Sequence, residues 1–401
     1  MKIASAYSTH PDPRQAAEEA YRKLIDSLQQ TPNILLAHAS CLYDTEVLIQ
    51  RLSSLAPGIP IQGGTSCLGV MTEMGFHSDN AYGFGLLGLS DRNGDYGAGM
   101  AVVGNDPQEA ARKALDQALS HAGRSGEAPA VVLVCSAPGN EESILQAIEK
   151  HVGIGVPIIG GTAADNDMSG QWRQFADSAV AGDGVSVAVL FPSCEIGFSF
   201  HSGYEPTDRK GRVTRAEGRI LYEIDGLPAA TVYNDWTGGL IESVLPSGGN
   251  LVPTATFSPL GTPVGCVGVI PYYRLSYPVE VLPGGALSLF TEVHAGHEIE
   301  LMTGTPDSLI SRTGRVAAAA VDAAPFSPDE VEGALVLFCT GCMLAVQERI
   351  SGACDGLRSA LKNAPFLCAF TLGEQGCFIG GENRHGNLMV VVLTFGPDQL
   401  E

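Results

Sequence analysis

The chain has 401 residues, 45% of them apolar, which is enough for two or three domains with full cores. Lys and Arg number 23 against 44 Asp and Glu, for a net charge of −21 with no local basic patch, so neither nucleic acid nor an anionic bilayer is an expected partner. No apolar run approaches a membrane span, the Met1-Lys2-Ile3-Ala4 start reads as a strand rather than a signal peptide, and ten scattered cysteines read as reduced, so a cytoplasmic location is expected.

In chain order, "KIASAYS" reads as a strand, "DPRQAAEEAYRKLIDSLQQ" as a helix, "NILLAHAS" as a strand and "DTEVLIQRLSSL" as a helix, each by its apolar spacing. The turn-like "PIQGGTSCLG" follows, with Gly63, Gly64 and Thr65. The same order then recurs as "YGAGMAVVG", "DPQEAARKALDQALSHA", "AVVLVCSA", "NEESILQAIEKHV" and "PIIGGTAADN", with Gly160, Gly161 and Thr162. Asp12-Pro13 and Asp106-Pro107 start the first helices alike: the Asp accepts from a free backbone N–H, and Pro at the first helical position wastes no donor. Asp12 to Asp106 is 94 residues and Gly63 to Gly160 is 97, the offsets of an internal duplication.

Residues 194–300 are short, turn-rich and mostly β in character, with "LPGGAL" as a hairpin turn. A third copy is expected over 301–401, opened by "HEIELMTG" and the Thr305-Pro306 helix start. It continues through "GALVLFCTG" and a helix from about Met343 to Lys362, with "TLGEQG" in the Gly-Gly-Thr place. The expected fold class is α/β: repeated strand-helix-strand-helix-strand-strand modules in mixed sheets, with a β-rich segment before the last module.

The segment "RVTRAEGRILYEIDGLPAATVY", through Thr214, Gly218, Asp225, Gly226, Pro228, Ala229 and Tyr233, resembles the central signature of the FIST (F-box and intracellular signal transduction) family. "YYRLSYPVEVLPGGALSLFTEVHAGHEIELM" is similar to the start of its C-terminal domain, and "PFLCAFTLGEQG" with "NRHGNLMVVVL" to its closing motif. The resemblance implies an N-terminal domain over 1–193 and a C-terminal domain over 194–401. It also implies an intracellular sensor that binds a small ligand and regulates a signalling partner such as a histidine kinase, with a homodimer as a candidate state. Some family members are haem proteins that sense nitric oxide, which makes haem a candidate cofactor with a His as axial ligand. The chain departs from the family at Cys342, where relatives often carry Arg, and at Gly376-Cys377, where a Pro is usual.

Candidate chemistry concentrates in a few places. Cys339 and Cys342 form a CxxC at a strand-to-helix turn, readable as a redox pair, a zinc half-site or plain packing. His294 and His297 read as a surface turn. Glu374 could receive a ligand amine or cap backbone N–H groups, and His385 could donate, accept or coordinate iron or stand exposed. Arg274 with Tyr272 and Tyr273 could clamp a carboxylate between aromatic walls, or Arg274 could pair an acid on a surface strand. No nucleophile, base and oxyanion set is recognisable, so an enzyme using the CxxC or Glu374 and His385 is the reading set second. The expected ligand site joins Gly63, Gly64, Thr65, Gly160, Gly161, Thr162, Arg274, Gly373, Glu374 and His385, in a pocket between the α/β body and the β-rich segment.

Overall fold

The computed structural model describes residues 1–267, 270–378 and 381–398. It is mixed α/β, 27% helix and 40% strand, in four sheets. No helix among the described residues is long and apolar enough to cross a membrane. The helices start where local chemistry dictates. Asp12, Asp44 and Asp106 each accept from the backbone N–H three residues on, at 3.0–3.1 Å, and Thr305 closes a capping box with Ser308. The helix expected from Met343 is broken into Thr340–Ala345, a single turn at Gln347–Arg349, and Ile350–Ala360, because Val346 leaves helical geometry.

Three six-stranded sheets share one strand plan. In the first unit the strand Ile34–Ser40 lies between Phe84–Ser90, antiparallel, and Ile61–Ser66, parallel, with Lys2–Ser8 at one edge. In the second, Val131–Ser136 lies between Gly184–Phe191 and Ile158–Thr162, with Asp95–Val102 at the edge. In the third, Gly333–Cys339 lies between Met389–Asp398 and Phe366–Thr371, with Cys194–Ser202 at the edge. The central strands are wholly buried, as expected where both faces are covered.

Each unit gives a hairpin to another unit's sheet. The hairpin Val70–Thr72/Gly75–His77 extends the third sheet through Leu367↔Thr72, Cys368↔Met71 and Ala369↔Val70. Gln174–Ala176/Ala179–Ala181 extends the first sheet through Gln174↔Gly64 and Phe175↔Gly63. Glu374–Cys377/Asn383–Gly386 extends the second through Glu374↔Gly161 and Gln375↔Gly160. The exchange closes a ring: the parallel strand of each unit (Ile61–Ser66, Ile158–Thr162, Phe366–Thr371) gains its second partner from a neighbouring unit, while Lys2–Ser8, Asp95–Val102 and Cys194–Ser202 stay at the opposite edges. On this plan we propose that the three units descend from one module, and we keep the division at residue 193 as a proposal.

Three expectations are corrected. Glu298–Thr303 does not open the third unit: it pairs with Glu205–Glu217 and Leu260–Val267 in the nine-stranded sheet. The edge strand of the third unit is Cys194–Ser202, and the β-rich sheet is inserted between that strand and the helix Pro306–Asp322. The Gly-Gly-Thr triplets are strand rather than turn, and none of their glycines has positive φ. They are small because backbones and side chains crowd there. A Cβ on Gly63 would lie 1.7 Å from the Ala37 carbonyl oxygen, and one on Gly160 would lie 2.1 Å from that of Val134. By strand register the third-unit counterpart is Cys368-Ala369-Phe370, since Val336↔Cys368 matches Ala37↔Gly63 and Val134↔Gly160; Leu372-Gly373 follows it.

Candidate functional site

The strand Ile270–Ser276 of the inserted sheet carries Arg274 with its side chain 8% exposed. Its Nη2 donates to the Glu292 carbonyl at 2.8 Å, and its Nε has no partner. Burial pulls this guanidinium below the usual arginine range, while the charges of Glu142 and Glu292 oppose the pull. His385 comes from the hairpin that the third unit lends to the second sheet, opposite Gln375, and is 2% exposed. Its Nδ1 is 3.3 Å from Gln375 Nε2, and its Nε2 has no partner. Gly373 makes room for the ring, because a Cβ there would stand 2.4 Å from His385 Cε1.

A chain of hydrogen bonds ties these residues to the second unit. Gln375 Nε2 donates to Thr162 Oγ1 at 3.0 Å, and Thr162 Oγ1 donates to Glu141 Oε1 at 2.9 Å. Arg219, from the inserted sheet, donates to Glu141 at 2.6 Å and to Glu142 at 2.5 Å. Glu142 also accepts from the Glu292 N–H at 3.0 Å. Burial alone would raise the Glu142 carboxyl. The neighbouring His385 and Arg219 side chains, with the Glu292 N–H, instead hold it down at about 2. Asn383 fixes the lent hairpin by accepting from Ile158 N and donating to Glu149 and the Val156 carbonyl.

Around these groups lies a cavity of about 300 Å³ lined by Glu142, Arg274, Glu292, His294, Arg384 and His385, among others. Four buried polar atoms on the same segments lack partners: Arg274 Nε, His385 Nε2, Gln375 Oε1 and Asn387 Nδ2. Buried polar groups are normally satisfied, and Arg274 Nε and His385 Nε2, on two residues that line the cavity, are left to be satisfied by water or a polar ligand.

Glu142 makes acid stability a test of this network. A carboxyl held near 2 when folded but near its usual 4.5 when unfolded stabilises above 4.5, and that contribution is lost as pH falls toward 2. Urea midpoints should therefore drop over that window in the wild type and drop less in Glu142→Gln; equal slopes would contradict the network.

The structure brings some of the expected site residues together and leaves others apart. Arg274 and His385 line one cavity, Thr162 connects to His385 through Gln375, Gly373 lies against the His385 ring, and Gly160 and Gly161 pair with the lent hairpin. The Glu374 carboxyl points away into the core, where it is fully buried and accepts from Thr371 Oγ1 at 2.8 Å and Met389 N at 3.0 Å. Gly63, Gly64 and Thr65 lie in the first unit, where Thr65 Oγ1 accepts from Arg173 N, and they do not reach the cavity. Tyr272 packs near His201 and Phe378, and Tyr273 donates to Glu300, so neither walls Arg274. His294 is on an exposed turn, as expected, yet at the cavity rim. Glu141, Glu142, Arg219 and Glu292 were not anticipated. The sequence offered only "NEESIL", a pair of acids at a helix start; the structure shows Glu141 to be 3% exposed, where such a group is almost never found unless paired.

Comparison with known proteins adds the family. An uncharacterized protein of Methanocaldococcus jannaschii is 38% identical over 94 residues, 23% of this chain, and this chain spans 18% of that relative's length. Among solved structures, PurLQS from Thermotoga maritima aligns over 98% of this chain and 72% of that one, at 11% identity and a TM-score of 0.23. T. maritima PurL complexed with AMPPCP aligns over the same shares at 10% identity and a TM-score of 0.21. Scores at this level carry no argument about fold or function. A model of the FIST N domain matches residues 33–227 and one of the FIST C domain matches residues 229–377. Domains of this kind are associated with sensing in signal transduction. With the two matches covering nearly all of its length, the chain belongs to the FIST family.

Proposed function

We propose that the chain is an intracellular, cytoplasmic sensor without turnover of its own, which binds a small polar ligand between Arg274 and His385 and passes its state to a signalling partner such as a histidine kinase. The supporting observation is that Arg274 and His385, each buried and each with an unpaired side-chain nitrogen, line one cavity. Arg274 would hold an anionic group of the ligand, since guanidinium recognises carboxylates in bidentate fashion. Glu142 and Glu292, which line the same cavity, would take a cationic or hydrogen-donating group. Arg274 belongs to the inserted sheet and His385 to the α/β body, so a ligand touching both would favour one arrangement of the two by differential affinity.

The donor set does not favour haem. The Arg274 cavity has imidazoles, but at about 300 Å³ it sits at the low end of ligand-site volumes and is too small for a macrocycle. A second cavity of about 600 Å³, beside Cys339, has neither an imidazole nor a Lys or Arg for the propionates.

Calorimetry with a panel of small zwitterions and carboxylates tests the reading. Arg274→Ala and His385→Ala should each weaken the best ligand by about thirtyfold, equivalent to ~2 kcal/mol, with Arg274→Lys intermediate. Unchanged affinity in folded variants would place the ligand elsewhere.

A further inference from the structure

The second cavity lies where three chain segments meet: the 165–168 loop of the second unit, the inserted sheet, and the 339–344 turn of the third unit with Leu372. Much of its lining is apolar, including Leu344 and Leu372, and two aromatic rings in contact with each other line one side. Tyr277 and Phe290 have centroids 5.8 Å apart and planes tilted by 48°. The Tyr277 hydroxyl is already committed to the Val252 carbonyl and Thr256, so the residue offers its ring.

The charged groups on this cavity are all of one sign. Asp165, Asp167 and Glu280 line it, with no Lys, Arg or His among the lining residues. Asp165 is 1% exposed and held in place by the backbone N–H groups of Met168, Gly170 and Gln171, which fix its charge without cancelling it. At the floor, Thr340 is 6% exposed, and its hydroxyl has no nitrogen or oxygen partner, only the Cys67 thiol near it. Carboxylates repel an anion and attract a cation, aromatic faces attract an ammonium group, and a buried hydroxyl without a partner gains by accepting a proton donor.

We propose that this cavity is a second ligand site, for an organic ammonium with an apolar body and no carboxylate. The body packs against Leu344 and Leu372, the ammonium lies between the aromatic faces and the acidic rim, and Thr340 accepts from it. The site is separate from the Arg274 cavity and stands or falls independently of it.

The probes are 2-phenylethylamine, phenylalanine and 3-phenylpropionate, followed by calorimetry on the full chain. The amine should bind at least about tenfold more tightly than either carboxylate-bearing probe. Leu344 is 43% exposed at the mouth, so Leu344→Lys should leave folding intact while weakening the amine at least about tenfold and admitting 3-phenylpropionate. The proposal is overturned by absence of amine binding, by 3-phenylpropionate binding as tightly as the amine, or by a folded Leu344→Lys protein that binds the amine normally.

Discussion

Gly63→Ala should destabilise the chain by more than about 3 kcal/mol, beyond the ordinary range for overpacking, because the new Cβ would stand 1.7 Å from the Ala37 carbonyl oxygen. A backbone atom of the parallel neighbour has no rotamer to yield, so the strands themselves must part. Gly64→Ala is the informative companion. Its Cβ would lie 2.4 Å from Cys135 Sγ, which belongs to the second unit, and the next atom is Arg173 O at 3.0 Å. Cys135→Ala removes the first obstacle, so the double variant should recover a good part of the loss, with a coupling of about 1 kcal/mol or more in chemical denaturation. Strict additivity of the two changes would mean that the first and second units do not interlock at this point.

Glu374 is the second site of large effect. Glu374→Ala should cost ~3 kcal/mol, since it opens a void in the core and leaves Met389 N–H without its acceptor. Glu374→Gln should fold well, because an amide can accept from Met389 N and donate to Thr371 Oγ1. The two carboxyl states differ sharply here. Burial first, and the neighbouring Cys339 sulfur second, raise this carboxyl well above its usual value, against the hydrogen bonds from Thr371 and Met389. A raised folded value means that the proton is held more tightly in the native state. The resulting stabilisation is complete below the unfolded value of 4.5 and is lost as pH rises toward the folded value. Glu374→Gln does not titrate, so its melting temperature relative to wild type should climb as pH rises from 4.5. A pH-independent offset would contradict a buried neutral carboxyl.

The helix starts at Asp12, Asp106 and Thr305 were legible because capping is local chemistry, and the order of elements in the first two units followed from apolar spacing. The exchange of hairpins was not. Strands of three residues such as Val70–Thr72 and Gln174–Ala176 carry no periodicity, and their partners lie in other units. Glycine pairs are first of all turn signals, so Gly63-Gly64 was read as a bend when the true constraint is crowding from Ala37 and Cys135. In the third unit Cys368-Ala369-Phe370 hides the correspondence altogether, and the insertion of a sheet after Ser202 moved the expected first strand to the wrong segment. At the candidate site, Arg274 and His385 were singled out from motif resemblance, whereas Arg219 and Glu141 pair across 78 residues of sequence and leave no local trace.

Native mass spectrometry of gently purified protein tests the central claim, that a small polar ligand is held at Arg274 and His385, most directly. The wild-type chain should carry a non-covalent small species that is released on denaturation, and folded Arg274→Ala and His385→Ala proteins should have lost it. A bare wild-type chain, or the same species retained equally by all three proteins, would contradict the account.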